Sequence, residues 1–330
     1  MAIICEVKNM GAYCASCNCS QEREVATVSL QADRQTRAQL KAILRVQAWF
    51  RGYRCRKQLA STPEYCNFLQ LRKRKTVQLK SSYNQNSKIE LEERSEVLLP
   101  DGIRYTGQWL KGENEVRHGY GRCVWPDGAV YEGNWKFDKA CGQGTFLHTH
   151  GDKYEGEWYD DKAHGHGVYT HSNGAKYEGS WENDLQHGYG VENWADGSKY
   201  EGHYQYGKKH GVGKYLWADG SSYSGDWCAN KIHGKGHYRW VDGRSYEGDW
   251  QDNLMHGWGH YKWKDGRSYE GQYLKDRKHG KGKYVWSDGR QYHGDWKEGR
   301  QHGEGQYTNA EGETARRGIW VDGRRTQWLD

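Results

Sequence analysis

The chain has 330 residues, of which 35% are hydrophobic, with a mean hydropathy of −1.15 and a formal net charge of +6. Four Phe stand against 25 Tyr and 17 Trp, which excludes an aliphatic core of ordinary size and leaves a thin, aromatic, distributed one. The charge sits in residues 1–100, where 17 Lys and Arg face 9 Asp and Glu, while residues 101–330 carry 32 against 34; that near-neutral remainder excludes nucleic-acid binding by bulk charge.

The opening MAIICEVKNM lacks a basic region followed by a long apolar run, and no stretch approaches the roughly 18 apolar residues of a membrane span. The expected location is therefore the cytoplasm. Nine cysteines without regular pairing distances fit a reduced compartment. Residues 1–32 read as a disordered tail containing Cys5 and the run Cys14, Cys17, Cys19. That run has no second partnered pair and no following His, so reduced or acylated thiols are expected before a zinc framework.

Residues 33–60 change character. Leu40, Ile43, Leu44, Gln47, Phe50 and Arg54 recur at three- and four-residue steps, as on one face of a helix, and Pro63 ends the segment. Within it stand Val46, Gln47, Arg51, Gly52 and Arg56 at the spacing of the IQ motif, which the segment resembles. The resemblance implies binding of calmodulin or a calmodulin-like light chain. A basic amphipathic helix with bulky rings is what Met-rich, acidic EF-hand grooves clasp. Trp49, Phe50 and Tyr53 are the candidate anchors; Arg51, Arg54, Arg56 and Lys57 would face acidic lobes, with Gln47 hydrogen-bonding backbone. Packing of this helix on the rest of the chain, or on a membrane, are the competing uses. Residues 61–93 follow as a polar linker rich in Ser, Asn, Gln and charge. Its run Arg72, Lys73, Arg74 and Lys75 is a candidate basic contact for acidic lipid, tubulin or nucleic acid, against the commoner case of a solvated linker.

From residue 94 the chain is periodic. Tyr131, Tyr154, Tyr177, Tyr200, Tyr223, Tyr246, Tyr269 and Tyr292 fall 23 residues apart, and Tyr105 precedes them by 26, with the surplus placed around Glu113–Val116. A fixed period of this size means stacked repeats. In residues 154–176, Tyr154, Gly156 and Trp158 share one face of an extended chain while Glu155 and Glu157 face solvent. A six-residue turn is expected next, and then Gly165, Gly167 and Tyr169 on the first face. Asn173-Gly174, or Asp-Gly in most other copies, closes the unit with a tight turn. Each repeat is therefore a β-hairpin, its glycines leaving room for neighbouring rings to lie flat and stack. Nine hairpins at ~10 Å each give a ribbon of roughly 85 Å.

Tyr-Glu-Gly-x-Trp, then His-Gly-x-Gly, then Asp-Gly, at a period of 23, resembles the MORN (membrane occupation and recognition nexus) repeat family over residues 94–326. Cys141 replaces His in one copy, Tyr204 replaces Trp in another, and Arg316 to Trp320 form a degenerate terminal cap. The expected fold is thus mainly β, a single twisted ribbon of repeats over residues 94–330. The column His118, His164, His187, His210, His233, His256, His279 and His302 has members ~10 Å apart, too far to share a cation; these rings are expected to pack at the hairpin turn, and no metal or cofactor is assigned. No phosphate loop, nucleophile elbow or HExxH appears. The resemblance implies a non-enzymatic scaffold of ciliary, axonemal (radial-spoke-type) or other cytoskeletal assemblies. A phosphoinositide-binding membrane adaptor is the alternative.

Overall fold

The computed structural model describes residues 89–99, 101–112, 115–312 and 315–330; the helix expected at 33–60 lies outside them. Twenty-one strands run from Leu91–Leu98 to Arg324–Trp328. Each pairs antiparallel with the next in the chain, so the whole is one open meander. Among the described residues, only the first and last strands have a single partner.

The unit is clearest at the strands Lys153–Tyr159 and Lys162–Thr170. The expected six-residue turn is in fact two residues, Asp160 and Asp161, with φ of 52° and 66°. Two consecutive positive φ values are the left-handed pair whose twist matches the flanking strands. The remaining residues of the expected turn belong to the second strand and form a bulge. Trp158 pairs with Ala163 and Gly156 with Gly167, so Glu157 alone faces His164, Gly165 and His166. Gly165 has φ +61°, and a Cβ there would meet the Glu157 carboxylate at 2.5 Å. That carboxylate replaces the lost ladder bond by accepting from the His166 N–H at 3.1 Å. Glu157 is exposed on the outer face, as expected, and is in addition a clamp across the bulge. Asp226, Asp249 and Gln272 do the same for Lys235, Trp258 and Lys281.

The Asp-Gly turns behave as their sequence implies. Gly197, at φ +88°, donates to the Trp194 carbonyl, and Asp196 accepts from the Ser198 N–H at 2.9 Å. This is a three-residue loop with glycine in the left-handed position.

The aromatic face explains the paired glycines. Gly156 lies opposite Gly167, and a Cβ on Gly167 would meet the Tyr154 hydroxyl at 2.3 Å. The Tyr154 ring occupies that space and donates to the Glu157 carbonyl at 3.0 Å. Contrary to the flat stacking expected from sequence, its neighbours Trp158 and Trp181 meet it edge-on, at 4.9 and 5.3 Å and interplanar angles of 83° and 89°. The positive edge of one ring on the negative face of the next is the favoured geometry for such pairs. The pattern repeats at Tyr131, Tyr177, Tyr223 and Tyr292, giving one continuous aromatic cluster.

A second seam joins successive repeats. Asp184, in a two-residue turn, accepts from the Ala163 N–H at 2.8 Å and returns its own N–H to the Ala163 carbonyl at 3.1 Å. Asp161, Asn230, Asn253 and Asp276 clasp Ala140, Lys209, Ile232 and Met255 in the same way. In the first hairpin six residues separate Leu110 from Arg117, which accounts for the 26-residue spacing; Leu110, Val116 and Phe137 fill its small separate core. At the other end the cap has Arg316 in place of Tyr but keeps its Trp, Trp320, whose ring meets Tyr292 at 4.9 Å, as in the other copies.

Candidate functional site

Val46, Gln47, Trp49, Phe50, Arg51, Gly52, Tyr53 and Arg56 lie outside the described residues, as do Arg72, Lys73, Arg74 and Lys75. What the structure places is the rod. Its outer face carries a column of Glu132, Glu155, Glu178 and Glu201, the last three paired with Lys153, Lys176 and Lys199 at 2.8 to 3.1 Å. These exposed pairs are worth little in stability. Beside them, at the residue between the two bulge-strand glycines, Tyr120, Tyr189 and Trp258 recur three repeats apart, each about half exposed. Tyr120 and Tyr189 donate to Glu132 and Glu201 at 3.0 and 2.7 Å. An open groove of about 580 Å³ lies next to this column, lined by Asp226, His233, Lys235, Asp249, Gln251 and His256. The period-23 pattern hides the three rings, because their own interval is three periods.

The histidine column sits at the bulges. Nδ1 of His118 and of His302 accepts from the N–H of Phe137 and of Asp322, each at 3.4 Å, in the facing turn. Rings of Phe137 and Tyr206 meet His118 and His187 at 4.9 and 5.5 Å. Packing or hydrogen bonding at the turn is therefore what His118, His187 and His302 do, as expected of the column.

Two groups of polar residues break the aromatic pattern, and sequence periodicity passed over both. The first is at two successive Asp-Gly-type turns. Asp152, 7% exposed, accepts from the Tyr169 hydroxyl and the Ser172 N–H, both at 2.8 Å. His150 and His171 reach the same carboxylate at 3.2 and 3.8 Å. Burial alone would raise the Asp152 carboxyl, but the Ser172 and Tyr169 bonds outweigh it and hold it below the usual range. Burial pushes His148 down to about 4 and lowers His171 as well. The signal was in the sequence: His148 and His171 stand where Trp125, Trp194 and Trp217 stand in other copies.

The second group is a pair of lysines inside the aromatic face. Lys209 lies 4.9 to 5.8 Å from the ring centres of Trp194, Tyr200, Tyr215 and Trp227. Lys278, three repeats on, lies 4.4 to 5.2 Å from Trp263, Tyr269, Tyr284 and Trp296. Burial lowers both, Lys209 to about 8 with Glu192 partly offsetting, and Lys278 to about 7. Arg117 opens the same column, its guanidinium 4.1 Å from the Trp135 ring and 3.1 Å from Asp138.

Charge is also graded along the rod. Residues 101–210 carry 12 Lys and Arg against 17 Asp and Glu, and residues 211–330 carry 20 against 17. The near-neutral total conceals an acidic first half and a weakly basic second half.

The model of the MORN repeat matches nine segments: 105–130, 131–152, 154–176, 177–199, 200–222, 223–243, 246–266, 269–289 and 292–314. Together they make up more than half of the chain. The chain belongs to the MORN-repeat family. The model of the IQ calmodulin-binding motif matches residues 40–59 of this MORN protein. It is also similar to MORN repeat-containing protein 3 of Xenopus laevis, 41% identical over 54 residues, which are 16% of this chain and 21% of that protein. The match thus spans about a fifth of the relative's length. Among solved structures, a catalytically inactive virginiamycin B lyase from Staphylococcus aureus with quinupristin aligns at 10% identity over 73% of this chain and 88% of that one. A streptogramin B lyase aligns at 12% over 73% and 87%. Both have a TM-score of 0.15, too low to carry any likeness. The repeats and the IQ motif are both interaction modules.

Proposed function

We propose that this MORN protein is a non-enzymatic scaffold of a cytoskeletal assembly, an axoneme among the candidates, with a calmodulin-class subunit held at residues 40–59. The observation that carries it is the IQ match in the same chain as nine MORN copies. In this reading Val46 and Gln47 engage one lobe, Trp49, Phe50 and Tyr53 anchor in apolar grooves, and Arg51 and Arg56 meet acidic residues. The rod's outer face, with Tyr120, Tyr189 and Trp258 exposed beside acidic side chains, supports the docking of structural proteins along its length.

The test is capture of calmodulin by the full chain and by its Arg51→Ala/Arg56→Ala variant, with and without calcium. Wild type is expected to retain calmodulin and the variant to lose it at least tenfold. Equal capture by both, or by neither, removes the IQ assignment. The tagged full chain is expected along axonemes of ciliated cells. Recovery with anionic vesicles in a salt-sensitive manner, lost when Arg72 to Lys75 become Ala, would favour a membrane adaptor instead.

A further inference from the structure

Most Asp-Gly turns of the rod begin with Trp, as at Trp125, Trp194, Trp217, Trp240, Trp263 and Trp286. Two successive turns read instead His148-Thr149-His150-Gly151-Asp152 and His171-Ser172-Asn173-Gly174. Turns 23 residues apart lie side by side on one edge of the meander, so these departures become neighbours. They bring unlike donors to a single point. His150 Nε2 is 3.2 Å, and His171 Nδ1 3.8 Å, from the same oxygen, Asp152 Oδ2.

Those are donor types of a zinc-class ligand set, and each imidazole stands near the separation from the carboxylate that such a set requires. With bonds of about 2.0–2.2 Å in a tetrahedron, neighbouring donors lie roughly 3.3 Å apart. The two observed separations straddle that value. Access is graded in the right sense: the Asp152 side chain is 10% exposed, His171 25% and His150 43%, so the carboxylate forms the floor and the imidazoles the mouth. The floor is held in place by the Tyr169 hydroxyl and the Ser172 N–H, partners that orient a ligating carboxylate. His148 packs below, its ring 5.4 Å from that of His150 and 4.6 Å from Phe146. Among the described residues no group of three His, Cys, Asp or Glu is placed to hold a metal ion as the side chains stand. Binding therefore has to draw His171 in by about half an ångström, which an edge residue of a turn can give.

We propose that these two turns bind one divalent cation of the zinc class, with His150 Nε2, His171 Nδ1 and Asp152 Oδ2 as protein ligands and water completing the shell. The ion would tie together two turns separated by a whole hairpin. It differs from the bulge histidines, which stand singly at one per repeat.

The experiment titrates cobalt(II), then zinc, into the reduced full chain, following visible and near-ultraviolet absorption and the unfolding temperature. Cobalt on imidazole and carboxylate gives d–d bands alone. Ligation by Cys5, Cys14, Cys17 or Cys19 would add a thiolate charge-transfer band, which separates the two sources. One equivalent is expected to bind with d–d bands and to raise the unfolding temperature. His150→Asn/His171→Asn should weaken that binding at least tenfold and abolish the thermal shift, whereas His164→Asn, at an exposed bulge position, should leave both unchanged. Since His150 and His171 are partly exposed, the double variant's unfolding temperature without metal is expected to match wild type, which excludes a folding defect. Undiminished binding in the double variant, a thiolate spectrum alone, or no saturable binding overturns the site.

Discussion

Lys209 and Lys278 occupy the same position of the repeat, three repeats apart, each inside four aromatic rings and each next to a Tyr, Tyr204 or Tyr273, where most copies have Trp. Two nearby charges separate them: a carboxylate beside the first, and beside the second the Arg267 guanidinium, which adds to the lowering of Lys278 by burial. At the first cage the preceding strand supplies Glu192, which accepts from the Tyr204 hydroxyl at 2.7 Å and faces Lys209 electrostatically. At the second cage the equivalent residue is Tyr261. Lys278 has no carboxylate within ion-pair distance among the described residues, and the buried Tyr273 hydroxyl has no hydrogen-bond partner among them. Ring faces attract an ammonium, but they do not replace hydration; Lys278 falls to about 7 where Lys209 falls only to about 8. An aromatic cage without an anion leaves the lysine more easily deprotonated than one that holds a carboxylate.

The largest expected effect breaks the first cage into a copy of the second. Glu192→Leu removes the carboxylate and leaves Lys209 and Tyr204 unpaired, for a loss of roughly 3–5 kcal/mol in chemical denaturation, with Lys209 titrating near the value of Lys278. Unchanged stability would show that Glu192 does not support the cage. Next is Lys278→Met, which removes a desolvated amine and should stabilise by about 2–3 kcal/mol at neutral pH. Its pH dependence has a definite sign. The folded-state value of Lys278 lies below the ordinary 10.5, so the unfolded chain binds more protons between the two, and stability rises with pH from about 7 to about 10. Above pH ~10 the core tyrosines, whose folded values burial raises, ionise first in the unfolded chain, so the native state binds more protons and the slope reverses. The variant should flatten the rise and keep the fall; a rise of the same size in both proteins would refute the assignment. The smallest effect is a matched pair. Tyr204→Phe loses a hydrogen bond to a charged group, costing roughly 1.5–2 kcal/mol, while Tyr273→Phe removes an unsatisfied hydroxyl and should be neutral or stabilising by under ~1 kcal/mol. Equal costs for the two would erase the contrast between the cages.

The fold was legible because everything that defines it is local. The 23-residue period, the alternation of Tyr154, Gly156 and Trp158, and the Asp-Gly turns each follow from neighbours within a few residues. The bulge was not legible, since alternation counts residues along one strand and is silent on Glu157 facing three residues of the next. Nor was the edge-on approach of Trp158 to Tyr154, for composition says that rings meet without saying how. The polar groups escaped for a related reason. Glu192 meets Tyr204 across 12 residues and Asp152 meets Tyr169 across 17, and such pairings depend on the register of a bulged ladder. Tyr204 was visible as a departure from the repeat; Tyr273, the same departure, carries no meaning until Lys278 is seen beside it. The IQ residues are the reverse case, legible in sequence and lying outside the described structure.

The seam of turn residues has a consequence for how the rod forms and how its length is set. Each clasp, from Ala140–Asp161 to Met255–Asp276, spans 21 residues, and every substantial strand contact joins consecutive strands. No part of the described rod waits for a distant segment before it can order, so assembly can begin at any hairpin and advance by growth onto a finished edge. The same property makes the repeat a unit of insertion and deletion. Removing one 23-residue period from the middle brings an equivalent turn residue opposite the same strand, an Asp or Asn in most copies and Gly207 or Gly299 in two, and shortens the ruler by ~10 Å without unmaking its neighbours.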